Sequence, residues 1–329
     1  MQILSFRDDR VQVAVLLVGL LFVTVNCMFP SFMVQAESTI IALLFMLGIP
    51  HGATDFALFR AQSEDKRPGL RQIVVFLVWY LGIIGIYSIL WLLVPILALA
   101  ILLLLAVYHF GQSNWSYVYN KSNAWAFSHY AIWGAAVLGA PILLHATEAE
   151  PIISAMVGTT VSLPGLSFTY PLLAVMGVVN LGIIAYLLHT RQISGKRATW
   201  EVASYLALMA VFLTNSLLLG FTLYFVFWHS LSALLDQAQF LYRRLKGFQS
   251  KQLQRLLMLT ILFSAIAIGL AWMFINPAKL LNPSLVGGLF IFISLLTLPH
   301  MILVDRVYRL SSEPDSHSNT NKTTTSLAR

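Results

Sequence analysis

Four histidines stand inside long apolar segments of the sequence: His51, His109, His229 and His300. A titratable side chain near the centre of a membrane helix costs roughly 2.5–3.5 kcal/mol on insertion scales, and such side chains face a partner, a cavity or an ion. Neutral imidazole is a ligand for iron, copper, zinc and nickel, whereas hard cations prefer carboxylates, which are scarce in these segments. The residue types therefore predict a mononuclear metal site with nitrogen ligands.

The elements that hold these histidines are predicted to be membrane helices. Of the 329 residues, 58% are hydrophobic and only 10% are charged, against about 25% charged in a soluble domain. The predicted fold is an all-α, polytopic bundle of about ten transmembrane helices, each of roughly 17–25 residues. The segments fall near residues 11–29, 38–59, 73–93, 95–118, 124–145, 170–189, 201–219, 221–241, 256–276 and 284–305.

The distribution of charge supports ten crossings. If each segment crosses once, 19 of the 20 Lys and Arg residues fall on one side of the membrane, and only Lys279 falls on the other. Basic residues gather on cytoplasmic loops, so the prediction is a multi-pass protein of the cell membrane with both termini in the cytoplasm. The basic residues form no stripe with aromatic side chains, which argues against binding to nucleic acid.

Some boundaries are less sharply defined by the sequence. The joins at Pro95 and Gly220 lie within apolar runs of more than 40 residues. Residues 146–168 are predicted to form the longest external loop, with room for a short interfacial turn. Residues 1–310 are predicted to form a single transmembrane domain, and the Ser/Thr/Asn-rich residues 311–329 a disordered cytoplasmic tail.

The four histidines are predicted to lie at similar depths. They fall on the second, fourth, eighth and tenth segments, which all run in the same direction. They lie 6 to 14 residues from the cytoplasmic ends, which corresponds to depths of roughly 9–21 Å. His129 lies near the same layer, whereas His145, His189 and His317 lie at the boundaries or in the tail and are weaker candidates.

The surroundings of the histidines allow two interpretations. Metal-bound histidines usually donate their second N–H to a carboxylate or carbonyl group; Asp55 and Asp236 are candidates for this role, at four and seven residues from His51 and His229. The single cysteine, Cys27, excludes a thiolate cluster and an intramolecular disulfide. Alternatively, each histidine is only a hydrogen-bonding group between helices. Four at one depth favour the metal site.

Four motifs in the sequence resemble, in order, those of the Brp/Blh family, the beta-carotene dioxygenases of bacteria and archaea. The resemblance extends from the second predicted helix to the last, and each motif lies in a predicted membrane helix. The motifs are GIPHGATD at residues 48–55, YHFGQS at 108–113, YFVFWHS at 224–230 and LPHMILVD at 298–305.

This resemblance implies an enzyme that cleaves the central double bond of beta-carotene with O2 to give two retinal molecules. It implies an iron(II) cofactor held by His51, His109 and His229. No side chain is predicted to act as a general acid or base. The metal would carry the chemistry while the protein positions the polyene and excludes water.

Two residues depart from the family pattern. Asn114 replaces an aspartate that often follows the second motif, and Ala233 stands where the family often has a further histidine, one helical turn after His229. We therefore predict His300 as the fourth ligand, with a water-completed three-histidine site as the alternative. His129 is an additional candidate for contact with the ligands.

Aromatic side chains near the motifs are candidates for binding a long apolar ligand, although most membrane aromatics pack or form interfacial belts. Those selected are Tyr108, Tyr224, Phe227 and Trp228. Three alternative functions stay open: a divergent oxygenase that acts on another carotenoid, a carotenoid-binding or transport protein without catalysis, and a haem-binding electron carrier, in which paired histidines ligate the haem.

Overall fold

The computed structural model describes residues 8–63, 69–119, 123–245, 249–274 and 281–311, with the side chains of 45–51, 250, 263–265, 267–274 and 311 left out of the description. Throughout these ranges the regular structure is helical. The α-helices are α1 (Asp9–Met28), α2 (Pro30–Gly48), α3 (Asp55–Gln62), α4 (Leu70–Leu93), α5 (Pro95–Trp115), α6 (Ala124–Leu144), α7 (Ala146–Val157), α8 (Leu166–His189), α9 (Gly195–Thr214), α10 (Leu217–Leu223), α11 (Leu231–Arg244), α12 (Ser250–Phe274) and α13 (Pro283–Ser311).

The predicted all-α membrane bundle is confirmed. In the described ranges, seven helical segments are long and apolar enough to cross a membrane: α1, α4, α5, α6, α8, the α10–α11 segment and α13. Helices α2, α9 and α12 overlap the other three predicted segments, so the number ten is an approximate count of crossings. The predicted disordered tail lies outside the described residues from position 312 onward.

Two features of the predicted spans differ from the observed helices. The second span is not continuous, because α2 ends at Gly48 and a 3₁₀-helix, Ile49–Thr54, separates it from α3. Pro50 has no N–H to donate to the α-helical pattern, which accounts for a change of helix type at the first motif. The predicted join at Gly220 is wrong: α9 ends at Thr214, and Ser216 caps α10 by accepting a hydrogen bond from Leu219 N (3.3 Å).

The join at Pro95 is where the sequence predicts it. Val94 separates α4 from α5, and Pro95 occupies the first turn of α5, where a missing N–H has no cost. The predicted external loop at 146–168, in contrast, contains the 12-residue helix α7.

Helices α5 and α6 approach each other so closely that only glycine fits at two of the points of contact. A Cβ atom at Gly111 would overlap the backbone carbonyl of Tyr130, and one at Gly134 would overlap that of Val107. Gly111 lies four residues after Val107, and Gly134 four after Tyr130, so each helix presents its glycine to the backbone of the other. This contact fixes the position of α5, which carries His109.

A contact between His145 and Glu148, where α6 meets α7, should make the stability of the protein depend on pH. His145 Nδ1 lies 3.5 Å from Glu148 Oε1; this hydrogen bond raises the pKa of His145 above 6.5 and lowers the pKa of Glu148 below 4.5. The histidine contribution is fully present below pH 6.5 and is lost as the pH rises through the raised pKa. The carboxylate contribution is present above pH 4.5 and is lost as the pH falls through the lowered pKa.

We therefore expect the thermal midpoint of Glu148→Gln in detergent to lie below that of the wild type, with the largest difference between about pH 4.5 and 6.5. Both proteins would be melted across pH 4 to 9, as followed by circular dichroism. A difference of the same size at pH 5.5 and 8.5 would show that the ion pair is not its source.

Candidate metal centre and substrate cavity

Three of the four predicted histidines lie together in the structure. The ring centroids of His109 and His229 are 5.0 Å apart, and those of His109 and His300 are 6.0 Å apart. All three side chains are buried, with exposed fractions of 3–4%. Their rings come from α5, from the segment between α10 and α11, and from α13, and they line one cavity.

The segment that carries His229 is a π-helix, Tyr224–Ser230. Short π-helical turns are rare and often occur at functional sites. They hold more residues per turn than an α-helix, so a π-helix changes which side chains face a neighbouring helix. Phe225 and His229 both line the cavity, and the ring of Phe110 packs edge-on against His229 with centroids 4.7 Å apart.

A carboxylate orients the imidazole of His300. Asp55 Oδ1 lies 2.7 Å from His300 Nδ1, and the side chains of both residues are 5% exposed. Tyr80 donates its hydroxyl to Asp55 Oδ2 (2.9 Å) and is also within 3.1 Å of the carbonyl oxygen of Leu296. Histidines that bind metals are commonly held in this way, since the hydrogen bond at one nitrogen fixes the ring and its tautomer.

The spacing of the three rings is close to that of a metal site but wider. With metal–nitrogen distances of about 2.0–2.1 Å, the ring centroids of two ligands of one metal lie about 4.5–5.3 Å apart. The 5.0 Å pair meets this value, and the 6.0 Å pair exceeds it. Among the side chains described, no three His, Cys, Asp or Glu residues have metal-binding spacing. The donor types fit a metal such as iron.

The cavity beside the histidines is apolar, with a volume of about 260 Å³. Its polar side chains are the three histidines, Ser294 and Thr297; both hydroxyls donate to carbonyls of their own helix, at 2.6 and 2.8 Å. The apolar lining is Leu99, Leu102, Leu103, Ala106, Phe110, Leu138, Ile142, Ala149, Ile152, Ile153, Met156, Leu163, Leu217, Leu218, Phe221, Phe225, Phe290 and Ile293.

The histidines lie at one end of this cavity. The lining begins at Leu99 on α5 and at Phe290 on α13, each ten residues before the histidine of the same helix. At 1.5 Å per residue, the cavity is about 15 Å deep. Side chains of α7 line its other end.

Two of the other predicted polar residues, Asp236 and His129, are not among the residues that line the cavity. The side chain of His51 is outside the described residues, so its predicted role as a ligand stays a prediction. Asp236 is half-buried on α11. His129 is buried elsewhere, with Nδ1 2.7 Å from the hydroxyl of Tyr119 and its ring against Trp115, and it does not line the cavity.

The four aromatic residues selected from the sequence are not among the residues that line the cavity. Tyr108 stacks on Phe127, and Trp228 donates its indole N–H to Ser204 Oγ (2.6 Å). Tyr224 is buried and Phe227 is half-buried in the packed core. The phenylalanines Phe110, Phe221, Phe225 and Phe290 line the cavity instead. The first three lie within three residues of the selected tyrosines. Proximity to the motifs therefore identified the correct part of each helix, but not the side chains that face the cavity.

The structure shows the surroundings of Asn114 and Ala233, the two residues that depart from the family pattern. Asn114 Nδ2 donates to Glu201 Oε2 (3.3 Å), and Glu201 is buried in an ion pair with Arg197. An aspartate at position 114 would place a second carboxylate against this buried group, which is unfavourable. Ala233 is fully buried on α11, while His300 stands beside the other two histidines.

Comparison with known proteins decides the family. A family model described as beta-carotene 15,15'-dioxygenase matches residues 42–308. The chain belongs to the beta-carotene 15,15'-dioxygenase family. A beta-carotene 15,15'-dioxygenase from uncultured marine bacterium 66A03 is 25% identical over 273 residues, which cover 82% of this chain and 93% of that protein. No solved structure matches the chain.

Membership of the beta-carotene 15,15'-dioxygenase family confirms the relationship predicted from the four motifs. The matched range contains all four motif histidines. It also contains Asp55 and Tyr80, which join α3 and α4 to His300. The sequence indicated Asp55 as a partner of a ligand, but nothing in it indicated Tyr80, because 25 residues separate the two.

Replacing Asp55 by asparagine tests the orientation of His300. If His300 binds a metal, the change should cost roughly 10–100-fold in metal affinity or activity, as changes to the residues that hold a metal ligand typically do. Tyr80→Phe should cause a smaller loss, since the carboxylate remains. Activity would be measured as carotene turnover in purified protein. Full activity of Asp55→Asn at wild-type metal content would contradict the assignment.

Proposed function

We propose that this protein cleaves the central double bond of beta-carotene with O2 and produces two molecules of retinal. The carbon–carbon double bond is broken, and each of its two carbons receives one oxygen atom of O2 as an aldehyde. The observation that carries the proposal is the apolar cavity, about 15 Å deep, with three buried histidines at one end. This depth is about the length of one half of beta-carotene, from its central double bond to the far edge of its ring.

The volume of the cavity agrees with the binding of one half of the substrate. Pockets that enclose whole drug-sized ligands have volumes of about 300–1,000 Å³, and this cavity has about 260 Å³. It suits one half of the polyene. With one half inside, the central double bond lies at the level of the histidines, and the other half extends beyond them.

The proposed cofactor is iron(II), with His109, His229 and His300 as ligands in the cavity and His51 as the fourth ligand. When bound, iron supplies the reactivity toward O2 that the side chains lack. The protein contributes the rest: Asp55 holds the ring of His300, and the apolar walls exclude water and align the polyene. Copper and zinc share the preference for imidazole, and metal analysis distinguishes them from iron.

The proposed setting is the cell membrane, with both termini in the cytoplasm. Beta-carotene dissolves in the lipid phase, so a site between membrane helices receives it directly from the bilayer. The other proposed partners are O2 and the surrounding lipid.

Expression in a bacterial host that accumulates beta-carotene tests the function. We expect loss of the yellow colour and formation of retinal, measured by chromatography of the extracted pigments. Cleavage products of other lengths would favour a different bond or carotenoid. Purified protein that retains carotene without converting it would instead support the binding or transport function, and a Soret band would support haem.

Metal analysis tests the cofactor separately. Purified active protein should contain about one iron atom per chain, since one mononuclear site is proposed. Chelation should abolish turnover, and added Fe(II) should restore it while Zn(II) should not. Turnover that persists in metal-free protein would refute the proposed centre.

A further inference from the structure

Helix α7 lies across the end of the cavity opposite the histidines. It follows the end of α6 directly and packs against α13, where a Cβ atom at Gly287 would lie 3.2 Å from both Ile152 O and Met156 Cγ. Four of its side chains line the cavity, and three of these are buried. They are Ala149, Ile152, Ile153 and Met156.

Polar contacts from the first half of α7 and from the residue before it hold the helix in place. His145 Nε2 lies 2.8 Å from the carbonyl oxygen of Phe212, and Glu148 Oε2 accepts a hydrogen bond from Leu217 N (3.0 Å) at the start of α10. Farther along, Glu150 Oε1 accepts from Leu163 N (2.8 Å). Leu217 and Leu163 themselves line the cavity, so these bonds join α7 to two neighbouring parts of the wall.

The distance between α7 and the histidines is set by the helical backbone of α5 and α13. Leu99 and Phe290 lie at the α7 end of α5 and α13, and the histidine of each helix lies ten residues away. A ligand that fills the cavity therefore has one end against α7 and a defined point along its length beside the histidines. In a polyene, that point selects one double bond out of a series of similar ones.

We propose that α7 is the end stop for the ring of the carotenoid and thereby determines which double bond is cleaved. This inference rests on the proposed function. Ala149, Ile152, Ile153 and Met156 act as specificity-determining residues: they touch the ring and set the depth to which the polyene enters. Removing bulk from α7 lets the substrate move deeper, and adding bulk holds it farther out.

Variants that change the depth in opposite directions test this inference. Met156→Ala deepens the cavity, and Ala149→Leu makes it shallower. Each should replace a large share of the retinal by two aldehydes of unequal length whose carbon atoms together equal those of beta-carotene. One oxygen atom still enters each aldehyde, so the chemistry is unchanged and only the cleaved bond differs. Thr147→Ala, at an exposed position on the same helix, is the matched control and should give retinal alone.

Ile153→Val is a milder change at a half-buried lining position and serves if either larger change lowers the amount of folded protein. Product lengths would be determined by chromatography and mass spectrometry with purified protein. If the wild type gives retinal and all folded variants also give retinal alone, the end-stop inference is overturned while the proposed function stands. If the wild type cleaves no carotene under the same conditions, the proposed function fails, and the inference fails with it.

Discussion

Replacing His300 by alanine is expected to reduce carotene cleavage by more than about 100-fold, the upper end of the range for changes that affect only the residues supporting a ligand. The imidazole lies on α13 beside His109, and its Nδ1 is bound to the buried carboxylate of Asp55. Removing the ring takes away a proposed ligand and leaves Asp55 buried without this partner. Both activity and iron content would be measured in purified protein.

The matched control for this prediction is His189→Ala, because His189 is exposed at the end of α8 and lies far along the chain from every motif. It should retain wild-type activity and iron. A His300→Ala variant with full iron content and full activity would show that His300 is not a ligand. The site would then be completed by water or by a residue other than His300.

Replacing Gly134 by alanine is expected to prevent the protein from folding stably. The added Cβ would overlap the carbonyl group of Val107 on α5, and both partners are helical backbone that cannot rotate away as a side chain can. Overpacking typically costs about 1–3 kcal/mol and occasionally more, and an overlap with rigid helical backbone belongs at the upper end of this range. The amount of monodisperse protein and its thermal midpoint in detergent would be compared with the wild type. Gly111→Ala should behave in the same way.

Gly139→Ala provides the control on the same helix. A Cβ at Gly139 would have no neighbouring atom within 4 Å, so this variant should fold normally and cleave carotene at the wild-type rate. Wild-type stability of Gly134→Ala would mean that α5 and α6 pack farther apart than in the structure.

Much of the architecture follows from the sequence because its causes are local. Apolar length places seven of the ten predicted segments on helices that are able to cross a membrane, and Pro95 marks a true helix start. The shared depth of the histidines also follows from counting along each helix, and three of them lie close together in the structure.

The features that the sequence did not predict depend on contacts between distant segments. Tyr80 reaches the site only because α4 packs beside α3, and no spacing along the chain records that contact. The lining phenylalanines depend on helix rotation, which an apolar sequence leaves open because nearly every face is hydrophobic. Residues 146–168, which contain helix α7, were predicted as a loop because they are rich in Thr, Ser, Gly and Pro; the packing of α7 against α13 is not visible in the sequence.

At the π-helix Tyr224–Ser230, the direction of each side chain depends on the number of residues that precede it in the segment, as well as on which residue it is. In an α-helix, each residue advances the direction of the side chains by about 100°. Deleting a single residue between Ser216 and His229 would thus turn the imidazole away from His109 or rotate α10 against its neighbours. Every side chain that lines the cavity outside this segment would be unchanged. Among family members, the number of residues between the α10 cap and this histidine should therefore vary less than the residues themselves.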